Sequence, residues 1–194
     1  MSNLGLALYL KANYLFTMNR LEEKDILTEA EKLLTEAKKL NPAIVWTYVS
    51  MAQINILKAR IKMRNSDNPE SNFSETIKCL KECLDLSGEY PEVYEMLLQV
   101  YKWKAIWEIS KGYYKKAKET ISTGLKLADN VLRKRAGTAG IIALKGIFYH
   151  LRAKISKNSQ DFHKAQNLLE KAFSLNPGLK SQFLYQLAEI EREL

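Results

Sequence analysis

The chain has 194 residues with 46% apolar side chains, enough for one compact domain or one short solenoid and too apolar for a disordered segment. Its net charge is +8, from 30 basic and 22 acidic residues, which attracts acidic proteins, nucleic acid and anionic lipid alike and selects none of them. Only 8 glycines and 4 prolines interrupt it, and apolar residues recur at three-to-four spacing, so an all-α fold is predicted.

The first predicted helix, Leu4 to Met18, starts almost at once. No basic segment precedes its apolar run and no small-residue cleavage pattern follows, which argues against a secretory signal. Direct entry into a helix points to a piece of a longer protein. A second helix carries Leu27, Ala30, Leu34, Ala37 and Leu40 on one stripe and is stopped by Asn41-Pro42, because proline disfavours helical geometry in the residue before it. Ala43 to Arg64 follows as a long helix, and the polar loop Arg64 to Asn72 leads to Phe73, Thr76, Leu80, Cys83 and Leu86, closing at Ser87-Gly88. Glu92 to Ser110 precedes Tyr114, Ala117, Ile121, Gly124 and Leu127, closing at Ala128-Asp129. Leu132 to Ile155 precedes Phe162, Ala165, Leu169, Ala172 and Leu175, stopped by Asn176-Pro177-Gly178. Leu179 to Glu193 ends the chain, and its Glu189, Glu191, Arg192 and Glu193 suit the solvated edge of a capping helix.

The four stripes share offsets of three, four, three and three. Small residues on such a stripe admit a neighbouring helix while the large ones fill the gap, so the pattern encodes helix-on-helix stacking. These endings, and Gly112-Tyr-Tyr114-Lys-Lys-Ala117 above all, resemble the tetratricopeptide repeat. The copies lie 46, 41 and 48 residues apart (Ala30, Thr76, Ala117, Ala165) against a usual period of 34, the surplus falling in the first helices and their loops. The resemblance implies a right-handed α-solenoid of about four helix pairs, at about 4–42, 43–90, 91–130 and 131–178, with a cap at 179–194, all within a single domain, 1–194. Long first helices, a polar Asp-Asn-Pro loop and a Leu-Asn-Pro helix ending are similar in style to the repeat regions that follow the kinase domain in some bacterial serine/threonine protein kinases. That likeness implies an interaction region cut from a larger signalling protein.

No chemistry of its own is legible. The kinase parts are missing: there is no glycine-rich phosphate loop, no His-Arg-Asp segment and no Asp-Phe-Gly. Gly137-Thr-Ala-Gly140 lacks phosphate-loop spacing and reads as close helix packing. Cys79 and Cys83, four apart on a helix, do not suit a disulfide, and His150 and His163 lie far from them without zinc-type spacing. No catalytic residue, cofactor or metal is expected, and a reducing, cytoplasmic setting is. The longest weakly polar stretch, Ala136 to Leu151, is broken by Lys145 and flanked by basic residues, so no membrane span is expected. Trp46, Tyr48, Tyr94, Tyr101, Trp103 and Trp107 read mostly as core, and Glu22 to Asp25 as a solvated run.

The expected function is a protein-interaction scaffold whose first helices line a groove for a peptide or a partner helix, acidic ones included. Aligning Ala12, Ala52, Ala105 and Ala153 places Tyr9, Asn13, Gln53, Lys102, Ile106, His150 and Lys154 on that face. Related repeats clamp peptide carboxy-termini with a lysine and an asparagine side by side; here Asn13 fits, but Tyr9 stands in the lysine's place, so a chaperone-tail clamp is disfavoured. The alternative is a basic helical-repeat nucleic-acid-binding module. The charge, Arg133-Lys-Arg135 and the many lysines of the third pair suggest it, while the spread of basic residues among acidic ones, the lack of a recognition helix or sheet platform and aromatics that read as packed count against it. Partner identity and oligomeric state leave no mark in the sequence.

Overall fold

The computed structural model describes residues 2–18 and 23–193; Glu22 of the charged run lies outside them. Among the described residues there are nine α-helices, one 3-10 turn and no strand: α1 (Ser2–Thr17), α2 (Glu23–Leu40), α3 (Val45–Arg64), α4 (Glu70–Ser87), α5 (Pro91–Ser110), α6 (Tyr114–Lys134), α7 (Ala139–Ser156), α8 (Ser159–Leu175), the turn Pro177–Leu179 and α9 (Lys180–Glu193). Contacts divide the chain into two compact units, Met1–Val100 and Tyr101–Leu194, with α5 running from one into the other.

Within the first unit α1 packs on α2, α2 on α3, α3 on α4, and α1 also meets α3, so consecutive helices stack and successive first helices touch. Ala12, Leu27, Ala30, Leu34, Ile54, Leu57 and Ile61 form one core cluster. The stripe on α2 is thus spent on packing from Leu27 to Ala37, with Ala30 and Leu34 fully buried, whereas Leu40 at its end is 73% exposed. Lys38 reaches from α2 to Glu82 on α4 at 2.9 Å and lies 4.7 Å from the Tyr48 ring centroid, its stem covering apolar surface while its charge is met.

Within the second unit α6 packs on α7, α7 on α8 and α8 on α9. Two glycines set the approach. A Cβ on Gly124 of α6 would fall 2.4 Å from the Phe148 ring of α7, and one on Gly146 of α7 would fall 3.1 Å from the Ala165 carbonyl of α8. The α7–α8 corner is tied by Arg152, which donates to Asp161 twice at 2.7 Å, and by Asn158, whose side chain caps α8 by accepting from the Gln160 N–H. Asp161 is buried, so the bidentate guanidinium compensates its charge.

The helix stops follow turn chemistry. Asn41 and Asn176 each accept from the backbone N–H two residues on, at 3.1 Å, just after α2 and α8 end. Gly88 ends α4 with φ +84°, a region side chains disfavour.

Four sequence expectations are corrected. The third stripe does not end at Ala128-Asp129: Ala128 and Val131 are buried and carry the apolar face onward, so α6 runs to Lys134 and takes in Leu132, and α7 starts at Ala139. Gly137 is not a close-packing residue but lies in the exposed turn between them, with nothing within 4 Å of its Cβ position. Tyr114, matched to buried Leu27, Phe73 and Phe162, is 53% exposed, because α6 begins on it whereas the others sit about one turn inside their helices. Trp46, at the second position of α3, is 60% exposed rather than core.

Candidate partner-binding face

The seven face residues divide between the two units. In the first, Tyr9 and Asn13 lie one turn apart on α1 and Gln53 lies on α3, all half-buried. Arg60, two turns after Gln53 and on the same side of α3, donates to Asn13 Oδ1 at 3.4 Å and sits 4.8 Å from the Phe16 ring. Burial raises the Tyr9 phenol above its ordinary pKa, partly offset by the Arg60 charge, and burial lowers Arg60 in turn. Sequence reasoning missed Arg60, although its seven-residue spacing from Gln53 was readable. A separate cavity of about 400 Å³ in this unit is bounded by Thr28, Lys58, Lys62 and Asn72, the Asn72 Oδ1 being buried without a hydrogen-bond partner.

In the second unit Lys102, Ile106, His150 and Lys154 come together on one cavity of about 340 Å³. The 3.6-residue period explains the set. Lys102, Ile106 and Ile109 recur at four and three on α5, and Ile147, His150, Leu151 and Lys154 do so on α7. The cap contributes Tyr185, Gln186 and Glu189. Trp103, Ile106, Ile147 and Leu151 give apolar walls, and Lys102 stands 4.9 Å from the Trp103 ring and 5.9 Å from that of Phe183.

Glu189 corrects the expectation of a wholly solvated terminal run. It is only 25% exposed, accepts from Lys154 at 2.6 Å and has its other oxygen 3.8 Å from His150 Nε2. Although burial alone would raise its pKa, the Lys154 hydrogen bond and the charges of Lys154, His150 and Arg192 hold this carboxyl below the usual range. Burial lowers the His150 pKa, against an opposing pull from Glu189. Lys154 is therefore neutralised within the chain and adds little net attraction for an acidic partner. His150 Nε2 and Gln186 Oε1 are buried with no hydrogen bond, an arrangement that costs about 1–3 kcal/mol each unless a ligand or water satisfies them.

Burial pushes the Cys79 thiol up to about 11, far from a reactive thiolate. No group of three or more His, Cys, Asp or Glu gathers for a metal among the described residues, and no described helix is long and apolar enough to cross a membrane.

A family model of the tetratricopeptide repeat matches residues 148–179, the end of α7, all of α8 and the turn after it. No curated protein and no solved structure matches the chain. That match, together with the consecutive stacking of helices within each unit, supports a tetratricopeptide-like helical repeat architecture. Tetratricopeptide repeats in general mediate protein–protein interaction, and folds of this class are typically non-catalytic scaffolds.

Proposed function

We propose that this chain is a cytoplasmic scaffold that binds a peptide or a partner helix through its first helices, as the interaction region of a larger bacterial signalling kinase. One observation carries the reading: side chains from α5, α7 and α9 converge on an apolar-walled cavity lined by His150, whose Nε2 faces Glu189 at 3.8 Å without a hydrogen bond. Concave, mostly apolar sites with a few convergent polar atoms are where partners anchor. In the first unit Tyr9, Asn13 and Gln53 offer a second stretch of such a face.

Peptides selected from a displayed library on the intact chain are expected to lose at least tenfold in affinity for Ile106→Asp, measured by calorimetry, while circular dichroism stays helical. Selected peptides that bind this variant as tightly as the parent overturn the reading. Neither ATP hydrolysis nor phosphate transfer is expected of the purified chain, and either one refutes the scaffold assignment.

A further inference from the structure

The net charge of +8 is not shared between the units. The first has 12 basic and 14 acidic residues and the second has 18 basic and 8 acidic, so Tyr101–Leu194 alone is +10. Within it, Lys111 to Arg135 carries eight basic residues, all exposed, against Glu119 and Asp129. Lys145 offsets Asp129 at 2.6 Å.

The helical period sorts these charges. Lys115, Lys118, Lys126 and Arg133 share one face of α6 with Ser122 and with both acidic residues, Glu119 and Asp129, turned away from the buried Ala117, Ile121, Gly124 and Ala128. At a rise of about 1.5 Å per residue this line along the helix is roughly 27 Å long. No ion pair engages Lys115, Lys118 or Lys126 among the described residues. At its start Tyr114 projects 53% exposed, and at its end stand exposed Arg133, Lys134 and Arg135.

From the lysine row on the outward face of α6 and the tyrosine at its head we infer that this face binds single-stranded nucleic acid. Lysines are depleted at protein interfaces and exposed ion pairs with carboxylates contribute only about 0–1 kcal/mol each, so a protein partner gains little here. A phosphate polymer gains far more, because each phosphate neutralised releases condensed counterions. The line has no apolar residue to enter a bilayer, and Tyr114 offers the flat face on which an unpaired base stacks. This surface uses none of the residues that line the cavity of the same unit.

The test is fluorescence anisotropy of the full chain with labelled oligouridylate over a salt series. Four phosphate contacts give a log–log salt slope near about −3, roughly fiftyfold weaker binding over a fourfold rise in salt. The variant Lys115→Glu/Lys118→Glu/Lys126→Glu should abolish binding. Lys157→Glu/Lys171→Glu/Lys180→Glu, with the same change in net charge elsewhere in the unit, should keep most of it. Tyr114→Ala should lose at least roughly fivefold. Four results overturn the inference: no binding at low salt, equal loss in both triple variants, equal affinity for duplex, or retention of the chain by phosphatidylserine vesicles in place of the oligonucleotide.

Discussion

Gly124→Ala tests the packing of α6 on α7 with a change of one methyl group. The new Cβ would lie 2.4, 2.6 and 2.7 Å from three atoms of the Phe148 ring, about an ångström inside ordinary contact. Phe148 is fully buried, so its ring cannot swing into solvent, and either the helices part or the ring leaves its rotamer. Overpacking of this kind costs about 1–3 kcal/mol. Alanine returns up to about 1 kcal/mol through helix propensity, leaving a net loss of about 1 kcal/mol and a Tm lower by roughly 2–4 °C. Urea and thermal unfolding followed by circular dichroism measure it. Gly137→Ala is the matched control, since nothing lies within 4 Å of that Cβ position and its φ is not positive; it should be neutral or gain about 0.4–1 kcal/mol. The double variant Gly124→Ala/Phe148→Leu should recover part of the loss. If Gly124→Ala instead stabilises as Gly137→Ala does, the α6–α7 approach described above is wrong.

Ala172→Leu, in the corresponding place on α8, should destabilise by about 1–3 kcal/mol in urea unfolding, because Ala172 is fully buried. Arg152→Gln removes the bidentate partner of buried Asp161 and should cost about 2 kcal/mol in the same assay, below the 3–5 of fully buried pairs because Arg152 is itself 40% exposed. The His150 pKa is lowered in the fold, so between its folded and unfolded values the unfolded chain binds more protons; its contribution is intact above the ordinary 6.5 and is lost as pH falls through the folded value. Melting curves should therefore show Tm falling below about pH 6.5, with His150→Gln flattening that slope before the carboxylates titrate.

Helix order and type were legible because four stripes repeat one set of offsets, and offsets survive substitution better than any single residue. The misplaced boundaries arose where that signal conflicts with continuing helix. Ala128-Asp129 mimics a stop by alignment, yet the Asn130 that follows stays within the helix, no proline or glycine stands beside it, and Val131 extends the buried face of α6. Tyr114 departs for a related reason: the repeat offsets align it with Leu27, Phe73 and Phe162 but carry no information on where α6 starts. On the candidate face, neighbours on one helix are legible from periodicity, as Lys102 with Ile106 and His150 with Lys154 show. Arrangements between helices could not. Glu189 lies 35 positions from Lys154, and only the placement of α9 beside α7 brings the two carboxylate oxygens to lysine and histidine.

Three consecutive residues of α7 show how one repeat can support two kinds of surface. Each step along a helix turns the side chain by about a quarter turn or slightly more. Gly146 therefore admits α8, Ile147 faces the cavity, and Phe148 meets Gly124 of α6. The second helices are occupied on their inner sides by this stacking, and no residue of α6 or α8 lines the cavity. What they have left is the outward face, where side-chain length and charge are unconstrained by packing, and on α6 that freedom is taken up by lysines. First-helix positions such as Ile106, His150 and Lys154 sit instead among apolar walls and a carboxylate, where shape and desolvation select a ligand. A partner held by the cavity and a polyanion held by the row would thus respond to different variants and to salt differently, the former depending on buried area and the latter on counterion release.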